Sequence, residues 1–149
     1  MNRSSTRGAR AAIYAIAIAA VAAAAFAVSA RAAAATLEVT LGGVEGAQGT
    51  LMVAVYDAAG YRTKAVRAVA QPASAPVFRF ADLPEGEYAV AAFHDRNDNG
   101  KLDTNLMGVP TEPYGFSRRG AATMGPPAWA DAKFELPAGG ARIAVQLSN

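Results

Sequence analysis

From Thr36 onward, hydrophobic and polar residues alternate in short segments separated by Gly, Pro, Asp or Asn. A period of two is typical of β-strands with one buried face. It predicts strands over residues 36–41, 50–57, 64–70, 77–80, 87–94, 132–136 and 141–148. The segment 50–57 is apolar on both faces, which is typical of a central strand. We therefore expect an all-β fold, a β-sandwich of six to seven antiparallel strands.

This β-sandwich is expected to be immunoglobulin-like or transthyretin-like (prealbumin-like), and a small barrel is the alternative, because a strand pattern does not determine closure. The alternation also predicts which side chains face the core. They are Leu37, Val39, Leu41, Phe78, Phe80, Tyr88, Val90, Ala92, His94, Phe134, Ile143, Val145 and Leu147. A tight turn is predicted at residues 83–87, since Pro fixes φ and Gly accepts positive φ.

The first 35 residues have the three-part layout of a secretory signal peptide. Three arginines precede an apolar run over residues 11–28, and small residues follow. We expect cleavage after Ala30 or within the alanine run that ends at Ala35, which leaves a domain over residues 36–149. An uncleaved anchor is the alternative, because 18 apolar residues approach the ~20 that cross a bilayer. Alanine is weakly apolar, so we favour cleavage and a periplasmic or secreted product with no remaining membrane span.

Removal of the leader reverses the charge balance. The chain has 14 Lys and Arg against 12 Asp and Glu, and four of the arginines lie in the first 35 residues. The remaining 10 basic and 12 acidic residues give a net charge of −2. Nucleic-acid binding requires a basic surplus, so we expect no nucleic-acid partner. The chain has no cysteine, and the exported domain must be stable without disulfides.

Residues 95–130 lack the alternating pattern. Connections longer than ~12–15 residues are uncommon in compact domains and are usually functional or disordered. This segment is rich in large apolar side chains, so we expect an ordered loop that packs on the sandwich. The large apolar side chains of this segment are Leu102, Leu106, Met107, Val109, Tyr114, Phe116, Met124 and Trp129.

The start of that loop matches the first nine positions of a calcium-binding loop of the D-x-[DN]-x-[DN]-G type. Calcium prefers several hard oxygen ligands, which alternate side chains and a turn at Gly bring together. The candidate ligands are the side chains of Asp95, Asn97, Asn99 and Asp103 and the backbone carbonyl of Lys101.

Position twelve of the calcium motif is normally a bidentate Glu but is Leu106 here, with Glu112 or Asp131 as substitutes from further along the chain. Any calcium affinity is therefore expected in the weak range of ~10⁻⁴–10⁻³ M. The alternative is a loop without metal, because Asp and Asn side chains bond their own backbone and Asn99-Gly100 favours a turn.

His94 is the single histidine and adjoins Asp95. A weak hydrolase would use it with Asp95 or Asp103 as acid and base groups, and Ser117 is the nearest plausible nucleophile. The more ordinary interpretation is a hydrogen-bonded residue at the edge of the core. One histidine and no cysteine cannot build a zinc site.

Aromatic and basic side chains in the long loop form a second candidate site. Tyr114 and Phe116 precede Arg118, and Trp129 follows it. Together with His94 they are candidates to bind a peptide, a glycan or an envelope protein, since aromatic rings and guanidinium groups recognise such ligands. The alternative is a packed Ω-type loop that covers the sandwich with these apolar side chains.

Three strings give the chain a family resemblance: LPEGEYAV (83–90), FHDRNDNGKLD (93–103) and GVPTEPYGFS (108–117). They resemble the bacterial family of domain of unknown function 2141 (DUF2141), and the similarity runs through essentially the whole chain after the leader, from Thr36 to Leu147. The resemblance implies a small exported protein of Gram-negative bacteria with an immunoglobulin-like or prealbumin-like sandwich. It implies no activity.

From these features we expect a non-enzymatic envelope domain that binds a ligand or partner through its long loop. The hydrolase is one alternative. In the other, the protein is a structural accessory domain that pairs with a partner through an edge strand, either 36–41 or 64–70.

Overall fold

The computed structural model describes residues 34–118 and 125–149. Residues 1–33, which hold the predicted cleavage site after Ala30 and most of the predicted leader, lie outside the described residues, as do residues 119–124 of the long loop. The elements are β1 (Ala34–Gly42), β2 (Thr50–Tyr56), β3 (Arg67–Pro72), β4 (Val77–Pro84), β5 (Gly86–Asp95), β6 (Tyr114–Phe116), α1 (Trp129–Ala132), β7 (Phe134–Leu136) and β8 (Ala141–Gln146).

These strands form two sheets. One has three strands in the order β4-β1-β8, and the other has the order β3-β2-β5-β6 with β7 also paired to β5. The predicted all-β architecture is confirmed, and in the described part of the chain the strands form two sheets rather than the small barrel. The prediction that 50–57 is a central strand is also confirmed, because β2 pairs with β3 on one side and β5 on the other.

The hydrophobic core consists of the alternate side chains that the period-two pattern assigned to one face. Its buried members include Leu37, Val39, Leu41, Leu51, Val53, Val55, Phe78, Phe80, Tyr88, Val90, Ala92, Val145 and Leu147. Phe134 and Ile143 are partly buried against this cluster, whereas Leu136 is fully buried. β7 therefore buries Leu136 more completely than the predicted Phe134.

The prediction of uniformly antiparallel strands is wrong for one pair. β1 and β8 run parallel, with Leu37 opposite Ala141 and Leu41 opposite Val145. Parallel neighbours need a long crossover connection, and here that connection is the rest of the domain. Because β1 also pairs with β4, segment 36–41 is not a free edge, and the edge-strand hypothesis retains β3 alone of its two candidates.

Some element boundaries differ from the sequence-based prediction. β1 begins at Ala34, two residues earlier than predicted, and β3 begins at Arg67 rather than Lys64. The long loop contains a strand that the pattern did not predict, β6, and the four-residue helix α1. Among the described residues, no helix has the length and apolar character needed to cross a bilayer.

Candidate functional site

The outer face of the larger sheet carries an apolar groove. Strand register places three alanines side by side across it, since Ala54 of β2 lies opposite Ala68 of β3 and Ala91 of β5. Small side chains on three adjacent strands leave a depression where larger residues would fill the surface. The alanine row is the floor of this groove.

Larger side chains form one wall of the groove, one register step along the strands. Met52 lies opposite Phe93, and Phe93 lies opposite Tyr114. The Tyr114 ring packs edge-to-face against Phe116, with 6.1 Å between centroids. Leu102 from the long loop also lines the groove. Two of the sequence-predicted ligand residues, Tyr114 and Phe116, are thus brought together in one concave surface.

A second aromatic cluster borders the groove at Tyr56. Tyr56 packs against Tyr61 at 6.0 Å and Tyr61 packs against Trp129 at 5.4 Å, both edge-to-face. The Tyr61 hydroxyl donates a hydrogen bond of 2.9 Å to the carbonyl of Pro127. Burial raises the pKa of the Tyr61 phenol, so its proton is held in place for this bond. The predicted residue Trp129 therefore belongs to the border of the site rather than to its lining.

The groove is suited to an uncharged, mainly apolar ligand. Its volume is about 340 Å³, and none of its lining residues carries a charge. Ligand sites are typically concave and apolar, with volumes of ~300–1,000 Å³. An anionic polymer needs basic groups, whereas the polar side-chain groups in this lining are the hydroxyls of Tyr56 and Tyr114.

The Asp/Asn loop (residues 95–103) supports one side of the groove. At the end of β5, the buried carboxylate of Asp95 accepts backbone N–H groups from Asn99 at 3.1 Å and Gly100 at 2.7 Å. Gly100 has φ of 76°, a conformation that glycine adopts without strain. These bonds hold the turn that leads directly to Leu102.

The remaining candidate metal ligands are engaged with one another. The amide groups of Asn97 and Asn99 donate to the two carboxylate oxygens of Asp103, at 2.7 and 2.9 Å. The Asn97 Oδ1 accepts the Asn99 N–H, and the Asn99 Oδ1 accepts the Lys101 N–H. This is the hydrogen-bonded arrangement of the metal-free alternative. The described residues contain no group of three or more His, Cys, Asp or Glu side chains placed to hold a metal ion.

Glu112 anchors the Asp/Asn loop from outside it, whereas the sequence suggested it as a substitute calcium ligand. It is 5% exposed, and its carboxylate accepts the backbone N–H of Arg96 at 2.8 Å and of Asp103 at 3.0 Å. It thereby joins both ends of the Asp/Asn loop to the segment that leads into β6. Glu112 lies in the GVPTEP string that carries the family resemblance. Alternation of apolar and polar residues does not predict its contacts, because its partners lie 16 and 9 residues away along the chain.

His94 lies on the opposite side of β5 from the groove. It is fully buried, and its Nε2 is 2.7 Å from the carbonyl oxygen of Gln48, while Nδ1 has no hydrogen-bond partner among the described residues. The carboxylates of Asp95 and Asp103 bond to the loop instead. A hydrolase using His94 requires an accessible imidazole in contact with its acid or base partner, and this geometry supplies neither.

Arg118 and Ser117 occupy the end of β6. The Ser117 Oγ accepts the Val90 N–H at 3.0 Å and donates to the Ala132 carbonyl at 2.5 Å, which ties the loop to helix α1. Arg118 is exposed and donates to the Lys133 carbonyl at 3.4 Å. Of the five predicted ligand residues, the structure brings Tyr114 and Phe116 into the groove, while Trp129 borders it and His94 and Arg118 lie elsewhere.

The fold and the groove define an all-β domain of two sheets with an apolar site on the outer face of one sheet. The sequence profile of the family described as an uncharacterized protein conserved in bacteria (DUF2141) matches residues 39–144. The chain belongs to this family, as the resemblance indicated. No curated protein and no solved structure matches the chain.

Proposed function

We propose that this protein is an exported, non-enzymatic binding domain that holds an uncharged apolar ligand, such as an acyl chain or an aromatic ring, in the groove. The observation that carries this proposal is the row of Ala54, Ala68 and Ala91 between aromatic walls. Export is supported by the layout of the leader. The two-sheet core is consistent with an immunoglobulin-like or prealbumin-like sandwich.

Burial of apolar surface drives such binding at roughly 25 cal/mol per Å². The walls belong to strands that are fixed by sheet hydrogen bonds, so the ligand needs little reorganisation of the protein. Absence of charge from the lining means that binding is expected to be insensitive to salt, in contrast to binding of an anionic polymer.

The experiment that tests this function is titration with the neutral fluorescent probe N-phenyl-1-naphthylamine. Ala54→Glu places a charged side chain on the groove floor and should abolish the probe signal. Ala144→Glu is the matched control, since Ala144 is exposed on β8 of the other sheet. Equal binding by both variants, with circular dichroism unchanged, would show that the groove is not the site.

A second candidate function is weak calcium binding by the Asp/Asn loop. The observation that favours it is that Asp95 and Glu112 are buried carboxylates, 1% and 5% exposed, whose hydrogen-bond donors are neutral backbone N–H groups. Buried charges are usually paired with an opposite charge or a metal. With few carboxylates able to converge, a cation would rely on amide and carbonyl oxygens, which implies weak affinity.

Thermal unfolding in 10 mM calcium or magnesium, after chelator treatment, tests the calcium site. For a Kd of about 1 mM, 10 mM calcium adds about 1.4 kcal/mol of stability, which corresponds to a rise of several degrees in Tm. Magnesium should have a smaller effect because it needs near-ideal octahedral geometry. An unchanged Tm in calcium would establish the metal-free loop.

A further inference from the structure

The long loop ends in an apolar tip, residues 105–109, that projects into solvent. Leu106 is 107% exposed, Met107 is 87% exposed and Val109 is 52% exposed. Soluble domains rarely present adjacent large apolar side chains so completely, and such patches usually mark interaction surfaces. The tip is therefore a candidate contact surface.

The tip is held in one conformation by its own hydrogen bonds. The Asn105 Oδ1 accepts the N–H groups of Met107 at 2.9 Å and Val109 at 3.1 Å, and the Asn105 N–H donates to the Val109 carbonyl at 2.9 Å. At its base, Thr104 and Pro110 form a β-bridge. An ordered tip loses little conformational entropy when it docks, as an interaction element requires.

The same chain provides a receptor for such a tip. Leu102, which lines the groove, is two residues before the base of the tip at Thr104, so the tip begins at the rim of the groove. The fully exposed Leu106 does not fill the groove of its own chain. Both surfaces are uncharged, and their contact would desolvate no ion.

We infer that two copies of this chain associate reciprocally, with Leu106 and Met107 of each copy inserted into the groove of the other. This inference rests on the proposed function, because it uses the same apolar groove. A knob and a receptor that lie side by side on one surface satisfy the self-complementarity of a two-fold dimer. An apolar ligand and the partner's tip then compete, so ligand binding separates the copies.

A lipid surface fits the tip less well. Asp98 and Asp103 carry carboxylates in the same loop, and Lys101 and Arg96 are the basic residues beside them. Recruitment to anionic lipid uses a cluster of basic residues, which this loop lacks. The few side chains involved make a small interface, so the dimer is expected to be weak and transient.

Sedimentation velocity of the purified protein as exported, from about 1 µM to 1 mM, tests the inference with two variants, each of which removes one of the two surfaces. Leu106→Ser/Met107→Ser removes the tip, and Ala54→Glu blocks the groove. Each is expected to weaken self-association by at least about 10-fold. A mixture of the two restores one of the two contacts, since the intact tip of one variant meets the intact groove of the other, and should associate more strongly than either variant alone but more weakly than wild type. Val77→Ser, which removes an apolar side chain that is 46% exposed on β4, is the matched control and should dimerise normally.

A wild-type protein that stays monomeric at 1 mM, or tip and groove variants that self-associate as strongly as wild type, would overturn the inference. Tip-dependent binding to phosphatidylglycerol vesicles by a monomeric chain would assign the tip to lipid instead. The naphthylamine probe distinguishes failure of the dimer inference from failure of the proposed groove function. If the monomeric tip variant binds the probe in its open groove, the groove function stands whether or not copies associate, and if it does not, the groove function fails.

Discussion

Replacement of Glu112 by Gln is the most direct test of how the candidate site is built. The Glu112 carboxylate accepts two backbone N–H groups, from Arg96 and Asp103, while only 5% exposed. Gln has nearly the same shape but a single acceptor oxygen. Its amide nitrogen would face one of the two N–H groups, so a buried donor would meet a donor.

The magnitude follows from the bonds that are lost. A hydrogen bond to a charged group contributes ~1.5–3 kcal/mol, and an unsatisfied buried donor costs a further ~1–3 kcal/mol. We expect Glu112→Gln to lower the free energy of unfolding by about 2–4 kcal/mol, a large part of the ~5–15 kcal/mol available to a typical domain. In urea this corresponds to a midpoint lower by about 1–2 M.

Urea unfolding followed by circular dichroism measures this change, and Glu135→Gln is the control because Glu135 is exposed on β7. The control is expected to shift stability by less than ~0.5 kcal/mol. Hydrogen exchange should also show faster exchange of the Arg96 and Asp103 amides in Glu112→Gln. Equal midpoints for the two variants would refute the view that Glu112 anchors the Asp/Asn loop.

Three further predictions concern the termini, a close strand contact and pH. On the proposed export, mass spectrometry of the product should show cleavage after Ala30, because a cut after Ala35 would remove Ala34, which pairs with β4. A product that starts after residue 35 would contradict this. Gly115→Ala should destabilise the fold by ~1–3 kcal/mol, since a Cβ there meets a backbone carbonyl of β8, whereas Gly139→Ala has open space and should melt like wild type. Burial raises the pKa of Tyr88 above its ordinary 10.0, so the folded state holds the phenol proton more tightly than the unfolded state. Stability should therefore fall as the pH rises above this ordinary pKa of 10.0, and less steeply in Tyr88→Phe; an identical slope would count against this assignment.

Local alternation was sufficient to predict the strands and most of the core. Leu37, Val39 and Phe78 were assigned inward by period two and are fully buried. The pattern missed β6 because Tyr114–Phe116 has three residues and a central glycine, too short for a period to be recognised. Alternation also does not predict the parallel pairing of β1 with β8, because that pairing depends on contacts between opposite ends of the domain.

The candidate site was predictable in parts rather than as a whole. The turn chemistry of Asp95 and Asn99 indicated an ordered loop, and the loop has the expected backbone contacts. The groove itself was not predicted, although β2 had been recognised as apolar on both faces. Its floor depends on Ala54 meeting Ala91 across the sheet, and only strand register brings those two residues together.

The position of β1 also bears on the order in which the proposed export and folding would take place. β1, the first strand of the domain, lies between β4 and β8 in the smaller sheet, so this sheet is complete only after the last strand has been made. Contacts between residues so distant along the chain form slowly, because the intervening loop must first close. A precursor threaded through a translocation channel from its N-terminus could therefore complete this sheet only after its C-terminal residues had emerged on the far side.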